Sequence, residues 1–251
     1  MKTLFFDTET SLILAGVFSL NPEYINYENV ILDWYMFSAS WSWLDQDKIE
    51  NVKITDFPTA FRRSFYNDYH VIKKLHSVIS QADIIVAHNL RKFDWPKFYA
   101  KVIEHGLPPI DQPMFVDTLQ EYRKFGFTSK KLDSLCRKLE LSRKMKLESG
   151  LWLPATLGSE YAIDKIAEYN SHDIPPLKEL YLTVRPYMTS HPNHNLTSEG
   201  KVCPKCGGTN IIRKGYRKRG MAIFPRFLCK SGPTPEWFQG KHAVKRVDYR
   251  P

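Results

Sequence analysis

The sequence predicts a mixed α/β domain, in which a β-sheet is flanked by helices, followed by a small basic module. Three observations favour this fold class. Residues 11–55 read as extended and rich in aromatic residues, helical apolar patterns then alternate with short β-branched runs, and three of the four cysteines cluster late in the chain. Antiparallel strands followed by alternating helices and strands are typical of a mixed sheet covered by helices.

The individual elements follow from local patterns. The apolar run at 3–6 predicts the first strand, and the aromatic-rich segment 31–44 predicts antiparallel strands. Apolar residues at helical spacing predict helices at 68–80, 95–104, 131–139 and 159–185, and short apolar runs predict strands at 83–87 and 114–116. We expect the last helix to be disturbed at Pro175, because proline lacks the amide hydrogen that a helix interior uses.

Two carboxylates follow the first apolar run. Asp7 and Glu9 alternate with Thr8, so both side chains project from the same face of the predicted strand. Neighbouring carboxylates repel each other and lose hydration, so a fold that retains them usually has a cation to neutralise them. A polar turn after a strand is the alternative explanation for this pair alone.

Two further polar groups follow in the chain. Asn89, Phe93 and Asp94 come between a predicted strand and a predicted helix, where capping of that helix would equally explain Asp94. Tyr169 and Asp173 are separated by one helical turn and therefore share one helix face. A core tyrosine beside a helix-end aspartate is the alternative for this second pair.

Together these residues resemble the three motifs of the DEDD 3′–5′ exonuclease superfamily, in its tyrosine-bearing (DEDDy) branch. The chain looks most like the exonuclease domain of family B DNA polymerases and its small stand-alone relatives, often carried by phages. The motifs D-x-E, N-x-x-x-(F/Y)-D and Y-x-x-x-D are matched in turn by Asp7 and Glu9, by Asn89, Phe93 and Asp94, and by Tyr169 and Asp173. The resemblance implies an RNase H-like exonuclease domain over residues 1–190 and a separate module over 191–251.

The resemblance also implies a chemistry, namely two-metal hydrolysis of phosphodiester bonds from 3′ ends. The four carboxylates would hold two Mg²⁺ or Mn²⁺ ions, since both metals prefer hard oxygen ligands. A tyrosine would orient the attacking water, because a phenol of ordinary pKa is a poor base. The expected catalytic residues are Asp7, Glu9, Asp94, Tyr169 and Asp173, the metal ligands are these four carboxylates, and the expected substrate-binding residues are Thr8, Asn89 and Phe93.

Single-stranded DNA is the substrate that the resemblance favours, with a separate polymerase or helicase as a candidate partner. One alternative is an RNA-processing 3′–5′ exonuclease, since nothing in these motifs reads a 2′-hydroxyl. Another is a non-catalytic nucleic-acid-binding accessory protein that keeps the fold. The retained carboxylates and tyrosine argue against the second alternative, because binding alone does not need them.

The whole chain has a formal net charge of +9, and its basic residues are concentrated in two segments. Residues 191–251 hold 13 Lys or Arg against 3 Asp or Glu, and residues 123–146 hold nine against two. Such segments predict contacts with a nucleic-acid backbone, particularly where aromatic residues are interleaved, as between Cys206 and Cys229. A solvated helix face is the alternative for part of the segment 123–146.

The C-terminal module resembles a degenerate zinc ribbon. Cys203 and Cys206 form a C-x-x-C-G pattern that is typical of a zinc knuckle. A second C-x-x-C would complete a ribbon, whereas here Cys229 stands alone and Gly232 occupies the place of its mate. The sequence leaves open whether the module binds one structural Zn²⁺ or folds without metal. The fourth ligand that we assign is His242, with His191, His194 or a dimer contact as alternatives.

The sequence favours a cytoplasmic protein (in the host cytoplasm if a phage encodes it) without a membrane partner. No apolar run of about 18 residues is present, so no transmembrane helix is expected. Residues 1–3 lead directly into a strand without the pattern of a secretory signal. Four cysteines without an evident pairing framework fit a reducing compartment.

Overall fold

The structure is a computed structural model of the 251-residue chain and describes residues 1–194, 202–232, 234–240 and 242–246. The chain divides into two compact units, Lys2–Glu179 and Leu180–Pro251, the second also including Met1. The sequence-based division at residue 190 stays a prediction about independent folding.

The strands and helices follow in chain order up to the second unit. They are β1 (Thr3–Thr10), β2 (Leu14–Ala15), β3 (Val30–Leu32), β4 (Met36–Trp43), β5 (Glu50–Lys53), α1 (Pro58–Arg63), α2 (Tyr69–Ile79), β6 (Ile84–Ala87), α3 (Asp94–Glu104), β7 (Met114–Asp117), α4 (Thr118–Tyr122), α5 (Leu132–Lys138), α6 (Trp152–Thr156), α7 (Glu160–His172) and α8 (Ile174–Val184). Short 3₁₀ turns lie at Tyr27–Asn29, Ile54–Asp56 and Arg185–Tyr187.

A five-stranded sheet of order β5-β4-β1-β6-β7 forms the centre of the first unit. Strand β4 runs antiparallel to β1 and β5, whereas β6 and β7 run parallel to β1. The prediction of a mixed sheet flanked by helices is therefore confirmed. Strand β1 is the middle strand, and its register with β4 places Asp7 opposite Ser40 and Glu9 opposite Ser38.

Two local differences from the predicted elements bear on the site. Strand β1 continues to Thr10 instead of ending at residue 6, because β4 pairs with it along its whole length. The helix predicted at 159–185 is interrupted near Pro175 as expected, but the break lies two residues earlier, at Asp173, and divides it into α7 and α8. As a result, Asp7 and Glu9 lie inside β1, and Asp173 lies between α7 and α8.

Apolar side chains from the sheet and its helices build the core of the first unit. Phe6, Tyr35, Trp41 and Phe98 are nearly inaccessible to solvent. Helix α2 buries one apolar face, which consists of Val71, Ile72, Leu75, Val78 and Ile79. Full burial of each such side chain contributes about 1.5–3 kcal/mol, so this core can hold polar groups in unfavourable surroundings nearby.

The second unit contains a small antiparallel sheet. Its strands are β8 (Ile211–Arg219), β9 (Ala222–Cys229), β10 (Glu236–Gln239) and β11 (Lys245–Arg246), and the other three all pair with β9. Strand β8 is solvent-exposed along most of its length. The rings of Phe227 and Phe238 stack with their centroids 5.4 Å apart, which covers one face of β9.

A helix needs about 20 predominantly apolar residues to span a lipid bilayer. Among residues 1–194, 202–232, 234–240 and 242–246, each helix is too short or too polar to cross one.

Candidate active site

Carboxylates from two separate elements meet beside the middle strand. Asp7 and Glu9 project from β1, and Asp173 lies at the junction of α7 and α8. One ligand oxygen from each of these three residues lies within 4.8 Å of the other two. The three side chains could therefore coordinate one cation together.

Asp173 is the most enclosed of the three. Its residue is 1% exposed, and among the described residues its Oδ1 atom makes no hydrogen bond. A buried carboxylate oxygen without a partner is costly, because it has lost hydration without gaining a replacement. A divalent cation at this position would supply the missing interaction, so the donor set fits a hard metal ion such as Mg²⁺ or Mn²⁺.

Asp94 approaches the site from the other side of β1. It is the first residue of α3, and its Oδ1 accepts hydrogen bonds from Thr8 N at 3.2 Å and Thr8 Oγ1 at 2.9 Å. Strand β6 pairs with β1 only as far as Phe5, so the Thr8 amide remains available to Asp94. Asp94 is not part of the 4.8 Å group, but its charge acts on Asp7.

The electrostatics of the site oppose full ionisation of its carboxyl groups. Burial first, and then repulsion by Asp94, Glu9 and Asp173, raises the pKa of Asp7 well above its ordinary value. Burial and the charge of Asp173 raise the pKa of Glu9 to about 8, and burial raises the pKa of Asp94 to about 7. A divalent cation would reverse these shifts, since it stabilises the ionised forms.

Lys144 supplies the positive charge next to the carboxylates. Its Nζ donates to Asp173 Oδ2 at 2.5 Å and to the Tyr169 hydroxyl at 3.2 Å. Burial lowers the pKa of Lys144, but attraction by Asp173 and Asp7 raises it by more, so the amine stays protonated. The ammonium group thus links the two residues of the third motif and partly offsets the repulsion among the acids.

Asn170 fixes the orientation of Asp7. Its Nδ2 donates to Asp7 Oδ2 at 2.7 Å, and its Oδ1 accepts from the hydroxyls of Ser40 at 2.7 Å and Ser38 at 3.3 Å. Ser40 Oγ in turn accepts from Asn51 Nδ2 at 2.7 Å. This chain of hydrogen bonds runs across β5, β4 and α7, and it holds the Asp7 carboxylate in one rotamer.

The comparisons with known proteins agree with this fold. The family model described as RNase H superfamily matches residues 35–185, which is more than half of the chain. The chain belongs to the RNase H superfamily. The matched range contains Asp94, Tyr169 and Asp173, whereas Asp7 and Glu9 lie before it.

A family B DNA polymerase from the hyperthermophilic archaeon Pyrobaculum calidifontis has a structure similar to this RNase H-like chain. The TM-score is 0.51 at 16% sequence identity, and the similarity covers 74% of this chain and 25% of the polymerase chain. At this identity the similarity shows the fold alone, and the chain spans a quarter of the polymerase. No curated protein matches the sequence.

Asp117 holds the loop of the RNase H-like domain that carries the second motif, residues 89–94. The Asp117 carboxylate accepts from Asn89 N and Arg91 N, each at 3.1 Å. Asn89 has φ of +77°, a left-handed conformation that asparagine adopts more readily than most residues. Phe93 is 37% exposed, and Lys97 Nζ lies 5.0 Å from the centre of its ring. An accessible aromatic ring beside Asp94 is therefore present.

A basic cleft of about 500 Å³ adjoins Tyr169. Its lining includes Arg143, Lys144 and Lys146, together with the side chain of Trp152. Positive charge with an aromatic ring suits a polyanionic chain whose bases can stack. The segment 123–146, whose basic residues were noted in the sequence, thus contributes to the surroundings of the third motif.

The residues predicted from the sequence form one neighbourhood with two residues that were not singled out. Asp7, Glu9 and Asp173 are grouped directly, Tyr169 joins them through Lys144, and Asp94 is connected through Thr8. Lys144 appeared in the sequence only as one of nine basic residues, and Asn170 only as the neighbour of Tyr169. Nothing local distinguished either, because their roles depend on contacts distant in sequence.

The structure brings three of the four predicted zinc ligands together. The Sγ atoms of Cys203, Cys206 and Cys229 lie within 4.8 Å of one another. His242 lies in an exposed segment and is outside this group among the described residues. Both ring nitrogens of His191 are engaged, one with the Tyr181 hydroxyl at 2.8 Å and the other with Pro192 O at 2.7 Å.

Proposed function

We propose that this chain is a metal-dependent 3′–5′ exonuclease that removes nucleotides from single-stranded DNA. The observation that carries the proposal is the group of Asp7, Glu9 and Asp173, in which a buried oxygen has no hydrogen-bond partner among the described residues. A protein that only bound nucleic acid would have no use for three mutually repelling acids. Membership of the RNase H superfamily supports a nuclease.

The proposed metal ligands are Asp7, Glu9, Asp94 and Asp173. Two Mg²⁺ or Mn²⁺ ions held there would polarise the phosphate and make water a stronger nucleophile. Asn170 keeps the Asp7 carboxylate in place, and Thr8 does the same for Asp94. Fixed ligands reduce the reorganisation that the reaction requires.

Tyr169 and Lys144 are proposed to act on the water and on the phosphate. Burial, and then the charge of Asp173, raises the pKa of Tyr169, so its hydroxyl stays protonated at neutral pH. A protonated phenol can accept a hydrogen bond from the attacking water and orient it, but it cannot act as a base. The ammonium of Lys144 provides a charge that can stabilise the developing negative phosphate oxygens.

The terminal nucleotide is proposed to contact Thr8, Asn89 and Phe93. The exposed Phe93 ring can stack on the last base, and such stacking does not depend on the base identity. The strand leading to this end would follow the cleft lined by Arg143 and Lys146. Contacts to the strand end and to the backbone favour exonucleolytic over internal cleavage.

The second unit is proposed to bind the nucleic-acid backbone. Strand β8 exposes several basic side chains, and Arg213 lies over the ring of Tyr216 at 5.1 Å. On the neighbouring strands, the guanidinium of Arg226 lies 4.2 Å from the centre of the Trp237 ring. Interleaved cations and aromatic rings of this kind bind single strands without reading their sequence.

A cleavage assay tests the proposal. Single-stranded DNA and RNA of equal sequence, labelled at the 5′ end, are incubated with Mg²⁺, Mn²⁺ or EDTA, using the wild type, Asp7→Asn and Asp173→Asn. We expect a metal-dependent ladder that shortens from the 3′ end of DNA and is lost in both variants. Glu168→Gln, an exposed substitution on α7, serves as the matched control and should retain activity.

Each other outcome has a defined meaning. Cleavage of RNA instead of DNA would favour the RNA-processing alternative. Tight binding of either polymer without any product would favour the non-catalytic accessory protein. Full metal-dependent activity in Asp7→Asn or Asp173→Asn would remove these residues from the reaction and contradict the assigned site.

A further inference from the structure

The second unit contains three thiols whose arrangement matches part of a tetrahedral metal site. The Sγ atoms of Cys203, Cys206 and Cys229 lie within 4.8 Å of one another, and the Cys206–Cys229 distance is 3.6 Å. Zinc–sulfur bonds of about 2.3 Å in a tetrahedron require sulfur–sulfur distances of roughly 3.8 Å. The thiols therefore lie close to three corners of a zinc coordination sphere.

Backbone amides point at two of the three sulfur atoms. Gly208 N donates to Cys206 Sγ and Ser231 N donates to Cys229 Sγ, each at 3.4 Å. A thiolate, rather than a thiol, is the form that ligates metals, and an amide donor favours the thiolate. Both turns are thus shaped for metal-bound sulfur, although the second has lost its mate cysteine.

A side chain at Gly232, the place of the expected mate cysteine, would approach a cation. A Cβ atom added to Gly232 would lie 3.3 Å from Arg185 Nη2, and the Arg185 side chain is almost fully buried. A guanidinium group carries only donors and cannot ligate a metal ion. Gly232 has no side chain and Arg185 cannot ligate a metal ion, so a fourth ligand from this chain would be another residue.

A buried carboxylate stands next to the thiols. Glu236, on β10, is 1% exposed, and its Oε2 lies 3.3 Å from Cys203 Sγ. Its other oxygen, Oε1, accepts from Arg185 Nε at 2.7 Å. Arg185 and the Cys203 thiol, which donates to Oε2, offset the cost of burying this carboxylate and hold it beside Cys203.

We propose that Cys203, Cys206, Cys229 and Glu236 bind one Zn²⁺ ion, with Arg185 holding the second carboxylate oxygen of Glu236. Glu236 contacts Cys203, and its carboxylate lies outside the 4.8 Å group of the three sulfur atoms, so coordination requires Glu236 to move toward Cys206 and Cys229. Carboxylate oxygen is an established zinc donor at about 2.0–2.2 Å, and an outer hydrogen bond to such a ligand fixes its orientation. This site goes beyond the proposed nuclease activity and does not depend on it.

The charges of the surrounding residues fit this ligand set. Three thiolates and one carboxylate carry two more negative charges than Zn²⁺ neutralises. Arg185 is paired with Glu236. Burial lowers the pKa of Lys205, whereas the charges of Glu236 and Cys203 raise it. With Lys205 protonated, the two cations would balance the excess negative charge of the complex.

X-ray absorption of the intact protein tests the ligand set without any substitution. The full chain, expressed with zinc in the medium, is examined at the zinc edge and by elemental analysis. We expect one zinc per chain with three sulfur neighbours and one light neighbour, and without the multiple-scattering pattern of imidazole. A zinc-free protein with three reactive thiols, four sulfur neighbours, or an imidazole signal would each overturn the proposal.

Variants then identify the fourth ligand. Zinc affinity is measured by competition with a chromophoric chelator for the wild type, Glu236→Gln and, as the matched control, His242→Ala. Loss of an outer partner of a ligand weakens metal binding about 10–100-fold, so we expect loss of the direct ligand in Glu236→Gln to weaken it at least as much, and His242→Ala to leave it unchanged. Unchanged affinity in Glu236→Gln, or a loss in His242→Ala, would refute the assignment. Should Glu236→Gln fail to fold, Glu236→Asp replaces it, because X-ray absorption does not distinguish a carboxylate oxygen from a water oxygen. Unchanged zinc affinity in Glu236→Asp would then refute the assignment.

Discussion

Replacing Glu9 by Gln should stabilise the metal-free protein at pH 8. Burial and the charge of Asp173 raise the pKa of Glu9 to about 8, from an ordinary value of 4.5. Because the folded state holds this proton more tightly than the unfolded chain, the contribution of Glu9 to the free energy of unfolding is greatest below the pKa that Glu9 has in the unfolded chain. It is lost as the pH rises from about 4.5 towards 8. Glutamine keeps the shape of the side chain but never ionises.

The magnitude follows from the same shift. Each pKa unit corresponds to about 1.36 kcal/mol, so an ionised Glu9 costs up to about 4 kcal/mol at pH 8. Neighbouring acids titrate together with Glu9 and take up part of this cost, so we expect a measured gain of about 1–3 kcal/mol. For a protein of this size that gain raises Tm by roughly 2–10 °C.

Thermal unfolding in EDTA at pH 5.5 and pH 8 measures the effect, with Glu168→Gln on the exposed face of α7 as the control. We expect the gain of Glu9→Gln to shrink at pH 5.5. Added Mg²⁺ should stabilise the wild type, by about 2.7 kcal/mol at a hundredfold excess over Kd, and the variant by clearly less. Destabilisation of Glu9→Gln at pH 8 in EDTA, or equal Mg²⁺ stabilisation of both proteins, would refute the reasoning.

Three further predictions concern residues that fix or extend the site. Lys144→Met should lower kcat by at least about tenfold. It should not weaken Mg²⁺ binding measured by calorimetry, because the substitution removes a cation that competes with Mg²⁺; a much weaker Mg²⁺ affinity would contradict this. Asn170→Ala should destabilise the protein by about 1–3 kcal/mol in chemical denaturation, since Ser38, Ser40 and Asp7 lose a buried partner; an unchanged midpoint would argue against the network. Replacing Arg217 and Arg219 by Ala should reduce the slope of log K against log salt by up to about 1.4 for single-stranded DNA, and an unchanged slope would exclude β8 from the binding surface.

The sequence predicted the parts of the fold that depend on local pattern. Apolar periodicity located α2 and α3, and β-branched runs located β6 and β7, because these signals are carried by neighbouring residues. The end of β1 was placed too early, because Asp7 and Glu9 look like a turn until the pairing with β4 is known. Pairing between distant segments is a tertiary effect that propensity does not encode.

The residues of the candidate site, like the elements of the fold, could be predicted from the sequence only in part. The motif residues could be chosen from the sequence because the chemistry demands carboxylates, and their spacing puts Asp7 beside Glu9 and Tyr169 beside Asp173. Lys144 could not be distinguished from its basic neighbours, because its position depends on the irregular segment between α5 and α6. Asn170 is buried by the packing of α7 on β4, and only that packing turns an ordinary polar residue into a partner of Asp7.

The arrangement of the acids explains why a bound cation should stabilise this domain. Each carboxylate is fixed by an element whose position the apolar core determines: β1 for Asp7 and Glu9, and the junction of α7 and α8 for Asp173. The core therefore holds the acids together against their repulsion, and the resulting cost appears as raised pKa values instead of displaced side chains. Lys144 offsets only part of this cost, since its single charge reaches Asp173 and leaves Oδ1 without a partner among the described residues. A divalent ion would offset more of it, so metal affinity and folding stability should change together whenever one of these acids is replaced.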